Sequence, residues 1–430
     1  MRVKKVKFPR ILRILGPGLI TGAADDDPSG IATYAQTGAQ FGYGQLWTAL
    51  FMLPLQTAVQ EACARIGAVT GKGIAAVTKE YYSKKIVYAV VLLVLLANTI
   101  NIGADIGAMA AAAQLIFPIN FVILTLIFTS FILILEIFTS YKIYAKILKW
   151  LAFALIAYPI TVFMVHQPWM TLLKATFIPH FEFSFAFLFI ITGVLGTTIS
   201  PYMFFWQTSE EVEEEKELGI KKGNAKPNLP KSFIRNLRID TIIGMIASEA
   251  ATWSIIVVAA TVLNSHGITD IKTSADAARA LEPLVATFPN AGFLAKLIFS
   301  TGIIGLGLLA VPVLSGSASY ALSEALSWKE GLNLKLKQAH GFYGIITIAT
   351  FIGLLINFIG INPVKALVFT AVFNGVAAVP LVFLIAKIAA NEKIMGKYKS
   401  GILSKTVVAI TFIGMAAAAI AMFVTIFKGN

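Results

Sequence analysis

The chain has 430 residues, of which 57% are hydrophobic and only 13% charged, with a formal net charge of +13. This composition excludes an ordinary soluble domain, and apolar segments far longer than barrel strands exclude a transmembrane β-barrel. The single cysteine, Cys63, excludes an internal disulfide framework or a zinc site made of several thiolates. We therefore predict an all-α polytopic membrane protein.

Hydrophobic runs predict eleven membrane-spanning segments. In chain order they are Ile11–Gln36, Leu46–Ile66, Ile86–Phe117, Phe121–Phe138, Ile147–Val165, Phe185–Phe205, Ile239–Leu263, Phe293–Leu326, Phe342–Phe358, Ala366–Ala386 and Val407–Phe427.

The basic residues test this count of spans. Counted on the sequence, 29 of the 35 Lys and Arg residues lie on one set of alternating connections, and six lie on the other set. By the positive-inside rule, the N-terminus is cytoplasmic and the C-terminus extracellular, in a multi-pass protein of the cell membrane. The net positive charge thus reflects the topology of the chain, and its basic loops can also contact anionic lipids of the bilayer, which we expect as a partner. We expect no nucleic-acid partner.

The first span is interrupted at mid-depth by Asp25, Asp26, Asp27, Pro28, Ser29 and Gly30. Proline removes a backbone donor and clashes with the preceding turn, and glycine weakens the helix further. Carboxylates at that depth are costly unless they face protein or a water-filled path. The stretch therefore predicts a helix broken in two, with an acidic break that serves as a cation site.

The sixth span carries a second interruption, with Gly196, Thr197, Thr198, Ser200 and Pro201 in an otherwise apolar run. The two breaks are five spans apart, so the two broken helices enter from opposite sides. Such pairing is typical of an inverted five-plus-five repeat. We predict an N-terminal tail at 1–10, a first repeat at 11–166, a second at 184–388 and an additional helix at 403–427.

The donors at both breaks are oxygen atoms. Asp27 supplies a charge, and Ser200 and the freed carbonyl of Thr197 face it from the second break. Hard oxygen ligands favour Mg²⁺, Ca²⁺ or Mn²⁺ over copper or zinc, and few protein ligands favour an ion that keeps its water, as Mg²⁺ does. Na⁺ also binds oxygen, so the pattern alone leaves the valence open.

The connector 210–238 begins with six glutamates, Glu210, Glu211, Glu213, Glu214, Glu215 and Glu217. We interpret it as a cytoplasmic loop whose acidic part is a solvated helix end. The alternative is a vestibule that attracts cations.

Four stretches resemble the NRAMP divalent-metal transporters. They are Gly16-Pro17-Gly18, the Asp27-Pro28-Ser29-Gly30 break with the following residues 36–43, residues 65–71, and residues 306–332. The resemblance covers nearly the whole chain and implies a LeuT-type 5+5 inverted repeat with unwound helices 1 and 6, plus an eleventh helix. It also implies transport of a divalent metal by alternating access.

At several positions of the two breaks and the helix that follows, the sequence differs from the usual NRAMP motifs, and these differences indicate a particular branch of the family. The usual Asp-Pro-Gly-Asn of the first break has Gly30 at the asparagine position, and the usual Met-Pro-His of the second break reads Ser200-Pro201-Tyr202. A second histidine, associated with proton movement, is Gln207. The pattern is similar to the NRAMP-related magnesium transporters, which implies Asp27, Gly30, Thr197 and Ser200 as the metal site.

Other polar residues are candidates for the ion path or for support of the site: Asp25, Asp26, Asn101, Asp105, Tyr202, Gln207 and Asn374. We expect Asp25 or Asp26 to cap or orient the outer half-helix. Asn101 and Asp105 are one helical turn apart and share a face.

We predict a divalent cation transporter, with Mg²⁺ as the main substrate and Mn²⁺ as a possible second one, working without proton coupling. The alternatives are a proton-coupled Mn²⁺ or Fe²⁺ transporter, or a Na⁺-coupled organic solute symporter of the same fold. No catalytic constellation is present in the sequence, so we expect no enzyme activity and no cofactor beyond the transported ion. The sequence indicates no oligomeric state.

Overall fold

The computed structural model describes residues 16–139, 156–220 and 229–428, and in these ranges the chain is almost entirely helical, without a β-strand. The helices, numbered in chain order, are α1 (Pro17–Asp25), α2 (Pro28–Phe41), α3 (Trp47–Thr70), α4 (Ile74–Tyr81), α5 (Lys84–Ala113), α6 (Phe121–Phe138), α7 (Ala157–Met164), α8 (Trp169–Phe177), α9 (Phe185–Thr198), α10 (Pro201–Glu217), α11 (Lys231–Val262), α12 (Ser274–Arg279), α13 (Ala291–Leu326), α14 (His340–Ile356), α15 (Pro363–Ala390), α16 (Glu392–Met395) and α17 (Ile402–Lys428).

The predicted all-α architecture is confirmed. Within the described ranges, seven segments are long and apolar enough to cross a membrane, counting α9 and α10 together, and α14 is a shorter apolar helix. The first predicted span is α1 followed by α2, and the second is α3, whose glutamines, glutamate and arginine lower its hydropathy. The first part of the fifth predicted span, residues 147–155, lies outside the described residues, and its second part contains α7.

Buried side chains form an apolar core on each side of the two breaks. The largest cluster joins α2, α11, the outer part of α13 and the first turns of α15. A second cluster joins α3, α4, α15 and α17 on the opposite side. Because both clusters draw on α15, this helix connects the two ends of the bundle.

α1 is held against α11 by its own backbone. The amides of Gly16 and Gly18 donate to the two carboxylate oxygens of Asp240, at 2.9 and 2.7 Å, so the start of α1 is capped from another helix. Gly22 lies so close to Gly244 that an added Cβ would stand 2.4 Å from the Gly244 carbonyl oxygen. Small residues thus allow the two helices to touch along their backbones.

The acidic run after the second break is helical, and four of its six glutamates are buried, which corrects the interpretation as a loop; its last glutamate, Glu217, is exposed at the helix end. α10 continues to Glu217, and Glu211 and Glu215 are no more than 1% exposed. Glu213 accepts hydrogen bonds from Lys216 and Asn333 and borders a cavity of about 590 Å³. The interpretation as a cation-attracting vestibule stays a prediction.

α9 and α15 approach through two glycines that face each other. An added Cβ on Gly196 would stand 2.0 Å from the Ala371 carbonyl oxygen and 2.2 Å from the Gly375 amide nitrogen. Neither backbone atom can move aside as a flexible side chain would. This contact fixes the end of α9, where the second break begins.

We therefore expect Gly196→Ala to lower the unfolding temperature of the purified protein, because overpacking of this kind costs about 1–3 kcal/mol. Gly414→Ala is the matched control, since it also lies within a helix but an added Cβ there meets nothing within 4 Å. The measurement is thermal unfolding in detergent. Equal unfolding temperatures for the two variants would contradict the close contact.

Candidate functional site between two broken helices

The first break lies where the sequence predicts it. α1 ends at Asp25, and α2 begins at Pro28. The two residues between them, Asp26 and Asp27, are not in a helical conformation. Proline is well tolerated at the first position of a helix, where its missing N–H would have no partner. The backbone of Asp27 is extended, with φ −60° and ψ 173°, which turns its side chain back over the first turn of α2.

Asp27 is the cap of α2 and is only 1% exposed. Its Oδ1 accepts hydrogen bonds from the Ser29 hydroxyl at 2.6 Å and the Gly30 amide at 2.7 Å, and its Oδ2 accepts one from the Asn101 side chain at 2.8 Å. A carboxylate has about four acceptor positions. Both oxygens of Asp27 are therefore engaged by donors, Oδ1 by the first turn of α2 and Oδ2 by α5.

Asn101 and Asp105 share one face of α5, as their spacing predicts. Both are buried, and the Asn101 side-chain nitrogen lies 2.8 Å from Asp27 Oδ2 and 3.4 Å from Asp105 Oδ2. Asp105 Oδ1 is buried without a hydrogen-bond partner. Asn101 is thus the residue that connects the two acids.

The second break also lies at the predicted position. α9 ends at Thr198 and α10 begins at Pro201, with Ile199 and Ser200 between them in non-helical conformations. The Ser200 hydroxyl donates back to the carbonyl of Gly196 and, at 2.9 Å, to that of Thr197. Because its proton is used in this way, the Ser200 oxygen presents its lone pairs to the break.

Two tyrosines join the breaks. The Tyr202 hydroxyl in α10 donates to the Ala24 carbonyl in α1 at 2.7 Å. The Tyr34 hydroxyl in α2 accepts from the Thr197 hydroxyl at 2.9 Å and lies 3.1 Å from the Thr198 hydroxyl, both at the end of α9. The sequence analysis missed Tyr34; its position one turn after Gly30 was the available signal.

Asp25 and Asp26 point away from this network. Asp25 Oδ2 accepts hydrogen bonds from Gln56 in α3 at 2.5 Å and from Ser248 in α11, and Asp26 Oδ1 lies 3.4 Å from the Thr252 hydroxyl. The expectation that one of them caps the outer half-helix is wrong, because the extended backbone at Asp27 gives that role to Asp27 itself.

Gln207 and Asn374 have different environments. Gln207 lies well beyond the break, where it accepts from Thr21 at 2.5 Å and donates to Glu211 at 2.8 Å. Asn374 is 1% exposed, and neither polar atom of its side chain has a hydrogen-bond partner. It precedes Gly375, which contacts Gly196, so it lies beside the second break.

Across residues 16–139, 156–220 and 229–428, no three His, Cys, Asp or Glu side chains converge in a way that could hold a metal ion. A cation at the breaks would therefore be held by one carboxylate oxygen of Asp27 together with neutral hydroxyl, carbonyl and amide oxygens. Gly30 adds no side chain. Such a donor set is hard and weakly charged, which suits an ion that keeps part of its water.

A cavity of about 760 Å³ opens on the predicted external side. Gln36, Ala104, Ile190 and Thr370 are among its lining residues. Asp27 and Ser200 are buried and are not among its lining residues.

Known proteins resemble this chain over nearly all of its length. Residues 18–425 match the family model described as "Natural resistance-associated macrophage protein-like", or Nramp. A Divalent metal cation transporter MntH from Bacillus subtilis (strain 168) is 27% identical over 400 residues, which cover 90% of this chain and 86% of that protein.

Solved structures share the fold. A manganese transporter from Eremococcus coleocola superposes with a TM-score of 0.77 at 16% identity, covering 99% of this chain and 91% of that one. Mhp1, a nucleobase-cation-symport-1 family transporter, superposes with a TM-score of 0.58 at 13% identity, covering 96% and 92%. These likenesses confirm the predicted LeuT-type architecture with its two broken helices.

We expect Asn101→Ala to reduce the rise in unfolding temperature that added Mg²⁺ or Mn²⁺ produces. Its side chain orients Asp27 Oδ2, and loss of a hydrogen bond to a charged group costs about 1.5–3 kcal/mol, which lowers ion affinity and with it the stabilisation by bound ion. Asn98→Ala is the control, because Asn98 is equally buried on α5 but donates to the Leu314 carbonyl instead. An unchanged metal-induced rise in Asn101→Ala would contradict the assignment.

Proposed function

This chain belongs to the Nramp family of membrane transporters, and on that premise we propose that it carries Mg²⁺ across the cell membrane by alternating access, without proton coupling. It is a multi-pass divalent metal cation transporter and not an enzyme. We further propose Asp27, Gly30, Thr197 and Ser200 as the ion site, with the N-terminus cytoplasmic and the C-terminus extracellular.

The observation that carries the Mg²⁺ proposal is the donor set at the two breaks. The Ser200 hydroxyl stands where the family resemblance places a methionine, and no thioether or imidazole belongs to either break. Soft ligands favour transition metals, whereas carboxylate, carbonyl and hydroxyl oxygens favour Mg²⁺, Ca²⁺ and Mn²⁺. Asp27 is the one carboxylate among the proposed ligands, which adds to this preference, because Mg²⁺ is usually bound by few carboxylates and several waters.

The cavity outside the site is large enough for an ion that travels with its water. Six water molecules occupy on the order of 180 Å³ at about 30 Å³ each. The cavity holds about 760 Å³, which exceeds the volume of a hexahydrated cation, and Gln36, Gln40, Asp270 and Asn357 are among its polar lining residues. Partial dehydration is then required only at Asp27.

The absence of proton coupling is proposed from positions 202 and 207. Tyrosine and glutamine occupy the places where the family resemblance puts imidazoles, and neither side chain takes up a proton near neutral pH. A membrane potential of 100 mV contributes about 2.3 kcal/mol per charge, or about 4.6 kcal/mol for a divalent ion. That supports about a thousandfold accumulation without any second ion.

Proton-coupled Mn²⁺ transport is the second candidate. It is favoured by the names of similar proteins, among them the manganese transporter from Eremococcus coleocola. Two buried carboxyls in other helices, Asp105 and Glu249, have oxygens without hydrogen-bond partners and offer places for a proton. The Na⁺-coupled solute symporter finds less support, because the likeness to Mhp1 concerns the fold alone.

The deciding measurement is uptake by proteoliposomes that contain dyes for divalent ions and for pH. We expect Mg²⁺ uptake that depends on an inside-negative potential and leaves the internal pH unchanged, and its loss in Asp27→Ala. The control is Glu182→Ala, which removes an exposed carboxylate from the surface. Mn²⁺ uptake with internal acidification and no Mg²⁺ uptake would contradict the proposal and favour the second candidate.

Ser200→Met tests the proposed basis of selectivity. The thioether adds a soft ligand and removes a hard one, so we expect the ratio of Mn²⁺ to Mg²⁺ uptake to rise by about tenfold or more, a change of about 1.4 kcal/mol. Competition between the two ions in the same vesicles measures the ratio. Ser209→Met serves as the control, because Ser209 is also a buried serine but lies within α10 and donates to Glu324 away from the break. An unchanged ratio would place selectivity elsewhere.

A further inference from the structure

Tyr34 is fully buried in α2, and its hydroxyl reaches across to the second broken helix. It accepts a hydrogen bond from the Thr197 hydroxyl at 2.9 Å and lies 3.1 Å from the Thr198 hydroxyl. One side chain that follows the first break therefore contacts both residues that end the helix before the second break. None of the roles proposed above involves this contact.

The ring of Tyr34 lies over Gly30. An added Cβ on Gly30 would stand 3.3 Å from Tyr34 Cε2 and 3.0 Å from the Asp25 carbonyl oxygen. Both contacts are tighter than ordinary van der Waals contacts, and the second is with backbone. The ring and the Asp25 carbonyl therefore both crowd any side chain at position 30, and either must shift by a few tenths of an ångström to admit one.

The Thr197 peptide group is held from two sides. Its hydroxyl donates to Tyr34 and also lies 3.1 Å from the Val194 carbonyl, while its own carbonyl accepts from Ser200 at 2.9 Å. If the Tyr34 hydroxyl is removed, the Thr197 side chain loses the one hydrogen bond that it makes to another helix within the described residues. The Thr197 carbonyl, an oxygen of the proposed ion site, is then held only by its bond from Ser200 and by the packing of Gly196 against α15.

We propose that Tyr34 is a specificity-determining positioning residue of the ion site. Its hydroxyl fixes the end of α9 and so aims the Thr197 carbonyl, and its ring prevents a side chain at position 30 from becoming an ion ligand. Together these effects keep the site poor in protein ligands, which favours an ion that retains its water. This inference rests on the proposed ion site, but not on which divalent ion is carried.

The first test compares Tyr34→Phe, Thr197→Val and the double variant in proteoliposome uptake. Both single variants break the bond between Tyr34 and Thr197 and nearly keep the volume of the side chain, and Tyr34→Phe also removes the contact with the Thr198 hydroxyl. We expect each to raise the KM for the transported ion by about threefold to tenfold, the range for one hydrogen bond, and the double variant to match Tyr34→Phe. The ratio of Mg²⁺ to Mn²⁺ uptake changes in all three.

Tyr43→Phe is the matched control. It removes a hydrogen bond of 2.9 Å between a tyrosine and Thr261, of the same type but at the outer end of α2. A merely structural role would lower the unfolding temperature of both tyrosine variants and leave both KM values unchanged. The proposal would be overturned if Tyr34→Phe had the same KM and the same ion ratio as Tyr43→Phe. Fully additive effects in the double variant would also overturn it.

The second test concerns the ring. We expect Gly30→Asn alone to reduce uptake of both ions, and Gly30→Asn with Tyr34→Leu to recover Mn²⁺ uptake, because the smaller side chain gives the asparagine room. Full activity and a changed ion preference in Gly30→Asn alone would show that the ring excludes nothing.

The wild-type protein in the same vesicles separates the two proposals. Uptake of Mn²⁺ without Mg²⁺ refutes the proposed substrate, while the Tyr34 variants are then judged on the KM for Mn²⁺. Mg²⁺ uptake with unaffected Tyr34 variants refutes only the role of Tyr34.

Discussion

A carboxylate held in the middle of a membrane protein needs hydrogen-bond donors, and the rest of this structure depends on how Asp27 obtains them. Removal of an ion from water costs several kcal/mol, and unpaired charge at this depth is costly. The break supplies the donors itself, because the first turn of a helix has free amides and a positive dipole end. The Gly30 amide and the Ser29 hydroxyl come from α2, and Asn101 adds a donor from α5. The acid and the break are therefore mutually dependent.

The two tyrosines give the site a reciprocal arrangement. Tyr34 follows the first break and binds the half-helix before the second break, whereas Tyr202 follows the second break and binds the half-helix before the first. α2 is thereby joined to α9 on one side of the membrane, and α1 to α10 on the other. Alternating access requires the two sides to open in turn around a fixed site, and half-helices that are joined in this crosswise manner can move as two pairs.

Local features of the fold were predictable from the sequence, and distant contacts were not. The breaks at Pro28 and Pro201 follow from residues that interrupt an apolar run, so the sequence locates them directly. The face shared by Asn101 and Asp105 follows from helical periodicity. By contrast, the partners of Asp25 lie in α3 and α11, and the bond between Tyr34 and Thr197 joins residues 163 positions apart. Such contacts depend on how helices cross, which no local pattern contains.

The charge of a segment likewise does not predict whether its side chains are exposed to solvent. The glutamates after the second break suggest a solvated end, yet α10 buries four of the six and exposes only the last one, Glu217. The composition of a segment indicates whether its side chains could be solvated, but the packing of neighbouring helices decides whether they are buried.

Weak coordination has a consequence for transport. An ion that must leave the site on each cycle cannot be held by many charged ligands, and a small divalent ion gives up its water reluctantly. In the proposed site, Asp27 with neutral oxygens opposite offers enough charge to bind the ion and too little to remove all of its water. Under that proposal, the glycine at position 30 and the nearby Tyr34 ring matter as well as the ligands, because they limit how many protein oxygens can replace water. Selectivity would then depend on the space beside the acid as well as on the acid itself.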